Sequence, residues 1–281
     1  MLYGSRGNQN CDGSDSKGVR RTRWPVMILE ICVDSVESAA AAQRGGAQRV
    51  ELCSDLLEGG ITPSAGLISR VRQRVAIEIF VMIRPRGGDF AYTDEECAVM
   101  REDICQARDL GADGIVLGVL NEHARIDVDR TRELVDLARP LPVTFHRAID
   151  MTADPQDALD DVIRTGAARV LTSGGAPGVL QGLAQLSGMV QAAGDRIAVM
   201  PGGGISIETL PRVAEATGAS EFHASLRTAL ASPVDYHKRG LHMGEIRNRE
   251  YLRFTVQEET VRAMVLALQQ VAAHRAAVRA G

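Results

Sequence analysis

The chain has 281 residues and a formal net charge of −4, with 45% hydrophobic and 4% aromatic residues. This balance argues against a nucleic-acid or anionic-membrane surface, and so few aromatic residues argue against a base-stacking platform. No apolar run approaches the roughly 20 residues of a membrane span, and residues 1–26 lack the apolar core of a secretory signal. We therefore expect residues 1–26 to be a disordered extension of one globular domain, residues 27–281.

The cysteines indicate the compartment. Five are present, at positions 11, 32, 53, 97 and 105, and they form neither a C-x-x-C pair nor the pattern of a small disulfide scaffold. Free thiols are typical of a reducing compartment, so we expect a cytoplasmic protein.

From Met27 onward, short apolar runs alternate with amphipathic helical stretches. Parallel strands need such crossovers, and eight strand–helix units in about 200 residues match a closed (β/α)8 TIM barrel. A doubly wound open sheet is the alternative. An alanine-rich amphipathic helix, residues 258–277, follows the last unit. The predicted strands are residues 27–33, 49–53, 77–83, 114–117, 142–146, 169–172, 197–200 and 221–224.

A short repeat supports closure of the barrel. Gly-Ala pairs begin at Gly46, Gly111, Gly166 and Gly218, just before predicted strands two, four, six and eight. Glycine permits the left-handed conformation that ends many helices, and the small alanine lets the chain tuck beneath the barrel. Recurrence at every second unit favours a closed barrel over two packed halves.

The first two strands carry acidic and thiol side chains in alternation. Glu30 and Cys32 share one side of strand one, and Glu51 and Cys53 share one side of strand two. If these sides face the lumen, two carboxylates lie in one layer and two thiols in a higher one. Buried carboxylates need basic partners. We expect Arg84, at the end of strand three, to supply that pairing.

The other strand ends are also polar, and barrels place their chemistry at these ends. Glycine loops follow strands six and seven, where backbone amides can hold a phosphate. We predict a site for a small anionic ligand there, with Arg86 as a main contact. The candidate anion-binding residues are Arg84, Arg86, Arg147, Ser173, Gly174, Gly202, Gly203, Gly204 and His223.

His146 ends strand five with Asp150 just beyond it. Together they are candidates for a proton-transfer step, with Glu30 or Glu51 as a second carboxylate. The alternative is a core histidine bonded to one of those carboxylates.

Cys32 and Cys53 have two interpretations. Buried free cysteines are usually small hydrophobic residues. Alternatively, two soft thiolates form a Cu(I) site, assisted by Met82 or Met200. Zinc is less suitable, because no third or fourth ligand at the right spacing is evident.

Several consecutive motifs resemble those of the CutC family, the copper homeostasis proteins, and are most similar to its animal members. The resemblance covers roughly residues 27–257 and implies a (β/α)8 barrel that is cytoplasmic, in some members nuclear, and often oligomeric. It implies Cu(I) binding through Cys32 and Cys53. The motifs are residues 29–35 (LEICVDS), 49–54 (RVELCS), 58–64 (EGGITPS), 81–90 (VMIRPRGGDF), 143–148 (VTFHRA), 169–174 (RVLTSG), 200–205 (MPGGGI) and 221–223 (EFH).

Two functions therefore stay open. The first is a Cu(I)-binding copper homeostasis protein for copper handling or storage. The second is a barrel enzyme acting on a small phosphorylated or otherwise anionic metabolite, with no metal cofactor.

Overall fold

The computed structural model describes residues 27–238, 240–241, 243 and 249–280. The predicted extension, residues 1–26, lies outside the described residues. Within the described part of the chain, no helix is both long and apolar enough to cross a membrane.

Eight parallel strands form the predicted TIM barrel. From β1 to β7 each strand pairs with the next in sequence, and β1 also pairs with β8, in the order β7-β6-β5-β4-β3-β2-β1-β8. The last two strands lie side by side and nearly complete the circle. The strands are β1 (Ile28–Val33), β2 (Arg49–Leu52), β3 (Glu78–Met82), β4 (Gly114–Leu117), β5 (Val143–Phe145), β6 (Arg169–Thr172), β7 (Ala198–Pro201) and β8 (Glu221–Ala224).

Helices cover the outside of this sheet, and side chains near their ends fix their boundaries. Ser35 caps the first helix, and Thr93 forms a capping box with Glu96 at the third. The repeat glycines Gly46 and Gly218 adopt the predicted left-handed cap conformation, with φ of 97° and 72°. The helices are α1 (Val36–Gly45), α2 (Ala65–Arg74), α3 (Asp94–Asp109), α4 (Val128–Ala138), α5 (Pro155–Arg164), α6 (Leu183–Ala193), α7 (Leu210–Thr217) and α8 (Glu258–Ala280).

Both faces of the strands are buried, and the two faces differ in chemistry. On β1, Leu29, Ile31 and Val33 join the apolar core beneath the helices. Glu30 and Cys32 alternate with them and therefore point into the lumen. The sheet thus surrounds a polar interior, which positions the candidate site.

Two elements depart from the predicted pattern. A 3-10 helix, Arg147–Met151, follows β5 directly. An antiparallel hairpin of β9 (Arg227–Ala231) and β10 (Leu252–Val256) then precedes α8. The hairpin is largely exposed, but β10 does alternate apolar and polar residues (LRFTV), a signal from which the sequence could have predicted a strand.

Helix α8 packs against α1 through a close contact at Gly45. A methyl group on Gly45 would lie 2.5 Å from Val261 Cβ. We expect Gly45→Ala to lower the free energy of unfolding by about 1–3 kcal/mol, because the contact leaves no room for it. Urea unfolding measures the effect.

Gly66 in α2 is the matched control, since its added methyl group would meet nothing closer than 3.9 Å. Gly66→Ala should leave stability unchanged or raise it by about 0.5–1 kcal/mol. Equal losses in the two variants would contradict the docking of α8 on α1.

Candidate functional site

The floor of the lumen, at the N-terminal ends of the strands, holds a buried ion network. Arg49 donates to Glu30 at 2.5 Å and to Glu221 at 2.6 Å, and Arg169 donates to the same Glu221 at 2.5 Å. Both guanidiniums lie over the ring of Phe80, 4.8 and 5.2 Å from its centroid. Arg49 is fully buried, so these carboxylates are what allow its charge inside the barrel.

The prediction that Arg84 pairs with the lumen carboxylates is wrong. Arg84 does not pair with Glu30 or Glu51, because it stands at the mouth whereas Arg49 begins β2 and reaches the floor. The sequence does carry a signal for Arg49, which lies two residues before Glu51 and so points to the same face. The Arg84 guanidinium instead donates to the backbone carbonyls of Glu58, Gly60 and Gly88.

His223 on β8 connects the floor to the level above it. Its Nδ1 lies 2.7 Å from Glu30 Oε1, and its Nε2 lies 3.8 Å from Glu51 Oε2. Burial opposes the imidazolium, but the acidic groups around it raise the pKa of His223 well above the ordinary value. Burial also opposes the charge of Glu30, yet His223 and Arg49 lower its pKa to about 2. His223 and Glu30 therefore form a charged pair.

Cys32 and Cys53 lie side by side above this pair. Both thiols are free and buried, with their sulfurs 3.9 Å apart. Hydrogen bonding from Cys53, aided by His223, outweighs burial and lowers the pKa of Cys32 to about 5. The same thiol contact, together with burial, raises the pKa of Cys53 well above the ordinary value. One thiolate and one thiol therefore share the site at neutral pH.

Glu51 completes this group. Its Oε2 lies 3.5 Å from the Cys53 sulfur, and the ligand atoms of Cys32, Glu51 and Cys53 lie within 4.8 Å of one another. Burial, followed by the negative charge of Cys32, raises the pKa of Glu51 well above the ordinary value. Burial and the neighbouring anions thus disfavour the charge of Glu51, and the two sulfurs are the softer donors for a cation.

The sulfur separation defines what the pair can bind. At a metal–sulfur distance of about 2.3 Å, sulfurs 3.9 Å apart give a sulfur–metal–sulfur angle of about 116°. A linear Cu(I) site needs the sulfurs about 0.7 Å further apart at the same bond length. Thiolates select monovalent copper, and the described residues supply no set of four ligands for a structural zinc ion here. The donor set fits Cu(I).

The two lumen methionines occupy different levels. Met82 packs with Cys32 and Cys53 in one small cluster. Met200 accepts a hydrogen bond from Arg49 at 3.4 Å and therefore lies at the floor. Only Met82 stands where the sequence places an assisting ligand.

The glycine loop after β6 already holds an anion, the carboxylate of Asp150. Asp150 accepts from the amides of Ser173 and Gly175, each at 3.0 Å, and from the Thr172 hydroxyl at 2.5 Å. The Gly174 amide donates to the Thr172 hydroxyl at 2.9 Å. The amides after β6 that are expected to receive a phosphate are thus used within the chain, and Asp150 makes no hydrogen bond to the ring nitrogens of His146.

The glycines after β7 serve different purposes. Gly202 makes room for its neighbours, since an added methyl group would lie 2.4 Å from Leu171 and 3.2 Å from His223. Gly203 and Gly204 have φ of 93° and 95° and line the mouth of the barrel. Their conformation requires glycine and brings the backbone against the open space.

The candidate arginines of the mouth are unequal. Arg86 points away from the mouth, bonded to Glu96 at 2.6 Å and to Asp89 at 3.1 Å. Arg147 lines the mouth and is partly exposed, although it binds Asp150 at 2.7 Å and Ser173 at 2.9 Å. Arg86 is therefore engaged by residues of the loop after β3 and of α3, whereas Arg147 lines the cavity.

His146 is buried at the end of β5, with its ring 4.9 Å from that of Phe90. Its Nδ1 accepts from the Ala148 amide, which places the ring proton on Nε2. Burial, followed by the charge of Arg84, lowers the pKa of His146 to about 3, so the ring is neutral. Nε2 has no hydrogen-bond partner among the described residues. An unmet buried donor costs about 1–3 kcal/mol.

A cavity of about 460 Å³ opens at the C-terminal ends of the strands, above the thiol pair. This size is within the range of small-molecule sites. It brings together residues that the sequence analysis named separately. Its lining includes Cys32, Glu51, Arg84, His146, Arg147 and His223.

Comparison with known proteins identifies the family of the chain. The model of the CutC family matches residues 27–228. The chain belongs to the CutC family. It is 52% identical to the mouse copper homeostasis protein cutC homologue over 217 residues, which cover 77% of this chain and 80% of the mouse protein. It is 46% identical to a CutC family protein of Chromobacterium violaceum, with coverage of 86% and 98%.

A solved CutC structure shares the fold. The protein of Streptococcus agalactiae is 33% identical, has a TM-score of 0.67, and is matched over 70% of this chain and 98% of its own. Phosphoribosylanthranilate isomerase of Pyrococcus furiosus matches with a TM-score of 0.53 at 15% identity, which indicates only the shared barrel.

The two lumen glutamates should respond differently to loss of charge. Glu30→Gln removes the counter-charge of Arg49 and His223, so we expect a loss of about 3–5 kcal/mol in the free energy of unfolding at neutral pH. Glu51→Gln removes a charge that burial already disfavours and should cost under about 1 kcal/mol. Urea unfolding of the metal-free variants compares them.

The pH dependence supplies a second outcome. The pKa of Glu30 falls from 4.5 to about 2, so its stabilisation of about 3 kcal/mol is complete above pH 4.5 and disappears as the pH drops towards 2. The difference between the wild type and Glu30→Gln should shrink over that range. Equal costs for the two variants would contradict the assigned charges.

Proposed function

We propose that this CutC protein binds Cu(I) through Cys32 and Cys53 and serves in copper homeostasis. The observation that carries the proposal is the pair of free, buried sulfurs 3.9 Å apart. Family membership supports it, because the mouse and human relatives are named copper homeostasis proteins. Two soft donors in a buried lumen favour a monovalent soft cation over the harder divalent ions.

The two thiols differ in how readily they lose the proton that metal binding displaces. Cys32, with its pKa at about 5, offers a thiolate at neutral pH, whereas Cys53 must release a proton when it binds. The apolar side chains of Phe80, Met82 and Val116 pack around both sulfurs and keep water away. Shielding of this kind suits holding or delivering Cu(I) within a cell.

We further propose a cytoplasmic location for this copper handling. The cysteines at positions 32, 53, 97 and 105 are free, which suits a reducing compartment. Presence in the nucleus is a further expectation from the family resemblance.

Self-association into a homo-oligomer is a separate proposal. It is supported by apolar side chains exposed on and beside the hairpin, Leu230, Val234 and Leu252.

A second candidate function is catalysis on a small anionic metabolite. It is supported by the neutral, buried His146, whose Nε2 lacks a partner, beside the charge of Arg84 at the cavity. A phosphorylated metabolite is less well supported, because the amides after β6 already donate to the carboxylate of Asp150. No reaction follows from these groups alone.

The copper proposal predicts a stoichiometry and its loss. Titration with Cu(I) under anaerobic conditions, in competition with a chromogenic chelator, should give about one tightly bound ion per chain. Replacing both Cys32 and Cys53 with serine should abolish that binding, because serine keeps the size but not the soft donor.

Cys105→Ser is the control, since Cys105 lies on α3 outside the lumen and should bind copper like the wild type. Unchanged Cu(I) affinity in the double variant would refute the proposed site.

A further inference from the structure

We propose that the mouth cavity binds a small organic acid by its carboxylate, which Arg84 attracts by charge and His146 Nε2 binds by a hydrogen bond. The inference goes beyond copper binding and names the ligand class for the second candidate function. It holds whether or not the thiol pair carries a metal.

The first argument is the charge of Arg84. Its side chain is 4% exposed, yet among the described residues no carboxylate comes within salt-bridge distance of it. Carbonyl oxygens and the face of Phe90, 4.8 Å away, surround the guanidinium. These groups are dipoles without net charge. A buried cation is normally paired, so an anion in the adjoining cavity completes the arrangement.

The second argument is the unused donor of His146. The ring lines the same cavity, is 4% exposed, and has its Nδ1 committed to the Ala148 amide. The proton therefore resides on Nε2, which lacks a partner in the described structure. A neutral N–H cannot neutralise an anion, but it can fix the orientation of an oxygen acceptor. Arg84 and His146 share Phe90 as a neighbour and line the same cavity, so a single ligand there is near both the charge and the donor.

The third argument separates carboxylate from phosphate. A phosphate requires several free donors, whereas the amides of Ser173, Gly174 and Gly175 are engaged by Asp150 and Thr172. One unpaired cation and one neutral donor match a single carboxylate. The wall also offers apolar surface for the body of an organic acid, from Leu56, Met82, Phe90 and Leu171.

The test measures binding of defined probes to the metal-free protein. Acetate, pyruvate, malonate and benzoate are compared with inorganic phosphate and with sodium chloride at equal ionic strength, by thermal shift and by isothermal titration. We expect at least one carboxylate to raise Tm and to bind more tightly than phosphate. If none of the carboxylates exceeds sodium chloride, or if phosphate binds best, the proposal is overturned.

Variants locate the site. His146→Leu should weaken carboxylate binding on the order of tenfold or more, and His146→Gln, which keeps an N–H donor, should stay within about threefold of the wild type. His123→Gln, at an exposed histidine, is the control and should leave binding unchanged. Equal binding by His146→Leu and the wild type would overturn the assignment.

Cys53→Ser separates the two proposals, because Cys53 is fully buried and, of the two thiols, Cys32 is the one that lines the cavity. It should bind the carboxylate like the wild type while losing Cu(I). Loss of both ligands together would contradict an independent carboxylate site, whereas loss of neither would contradict the copper site alone.

Discussion

The rest of the lumen depends on the ion pairs that the buried Arg49 guanidinium makes with Glu30 and Glu221. Arg49 keeps Glu30 ionised, Glu30 holds the His223 imidazolium, and His223 favours the thiolate of Cys32. Each step lowers the cost of the next charge in a region that excludes water. Three cations then face three anions: Arg49, Arg169 and His223 against Glu30, Glu221 and the Cys32 thiolate.

This balance divides the mouth of the barrel into two halves. On the side of β1, β2 and β8, the charges are compensated and the soft sulfur donors remain, beside Glu51, whose pKa is raised by burial. On the side of β3 and β5, Arg84 keeps an uncompensated charge and His146 an unused donor. The first half suits a soft cation and the second an anion, and both halves border one cavity, which Cys32 and Met82 also line.

The barrel and the closeness of the two thiols could be predicted from the sequence, but the partners of the buried charges could not. Strand alternation and the Gly-Ala repeat predicted the eight strands, and adjacent strands with matching alternation predicted that Cys32 and Cys53 would lie close together. The sequence pattern does not show how far a side chain extends across the lumen. The prediction therefore paired Glu30 with Arg84, whereas its partner is Arg49. For the same reason the carboxylate of Asp150, distant from the β6 loop along the chain, was not foreseen in that loop.

The ionisation of Cys32 tests this account most directly. Carbon-13 labelling of the cysteine β-carbons, with Cys32→Ser to assign the signal, allows its titration to be followed by NMR in the metal-free protein. The hydrogen bond from Cys53, aided by the nearby His223, predicts a midpoint at about 5, well below the ordinary 9.0 of a cysteine. A midpoint at or above the ordinary value would show that neither the Cys53 hydrogen bond nor His223 stabilises the Cys32 thiolate, and would contradict the account.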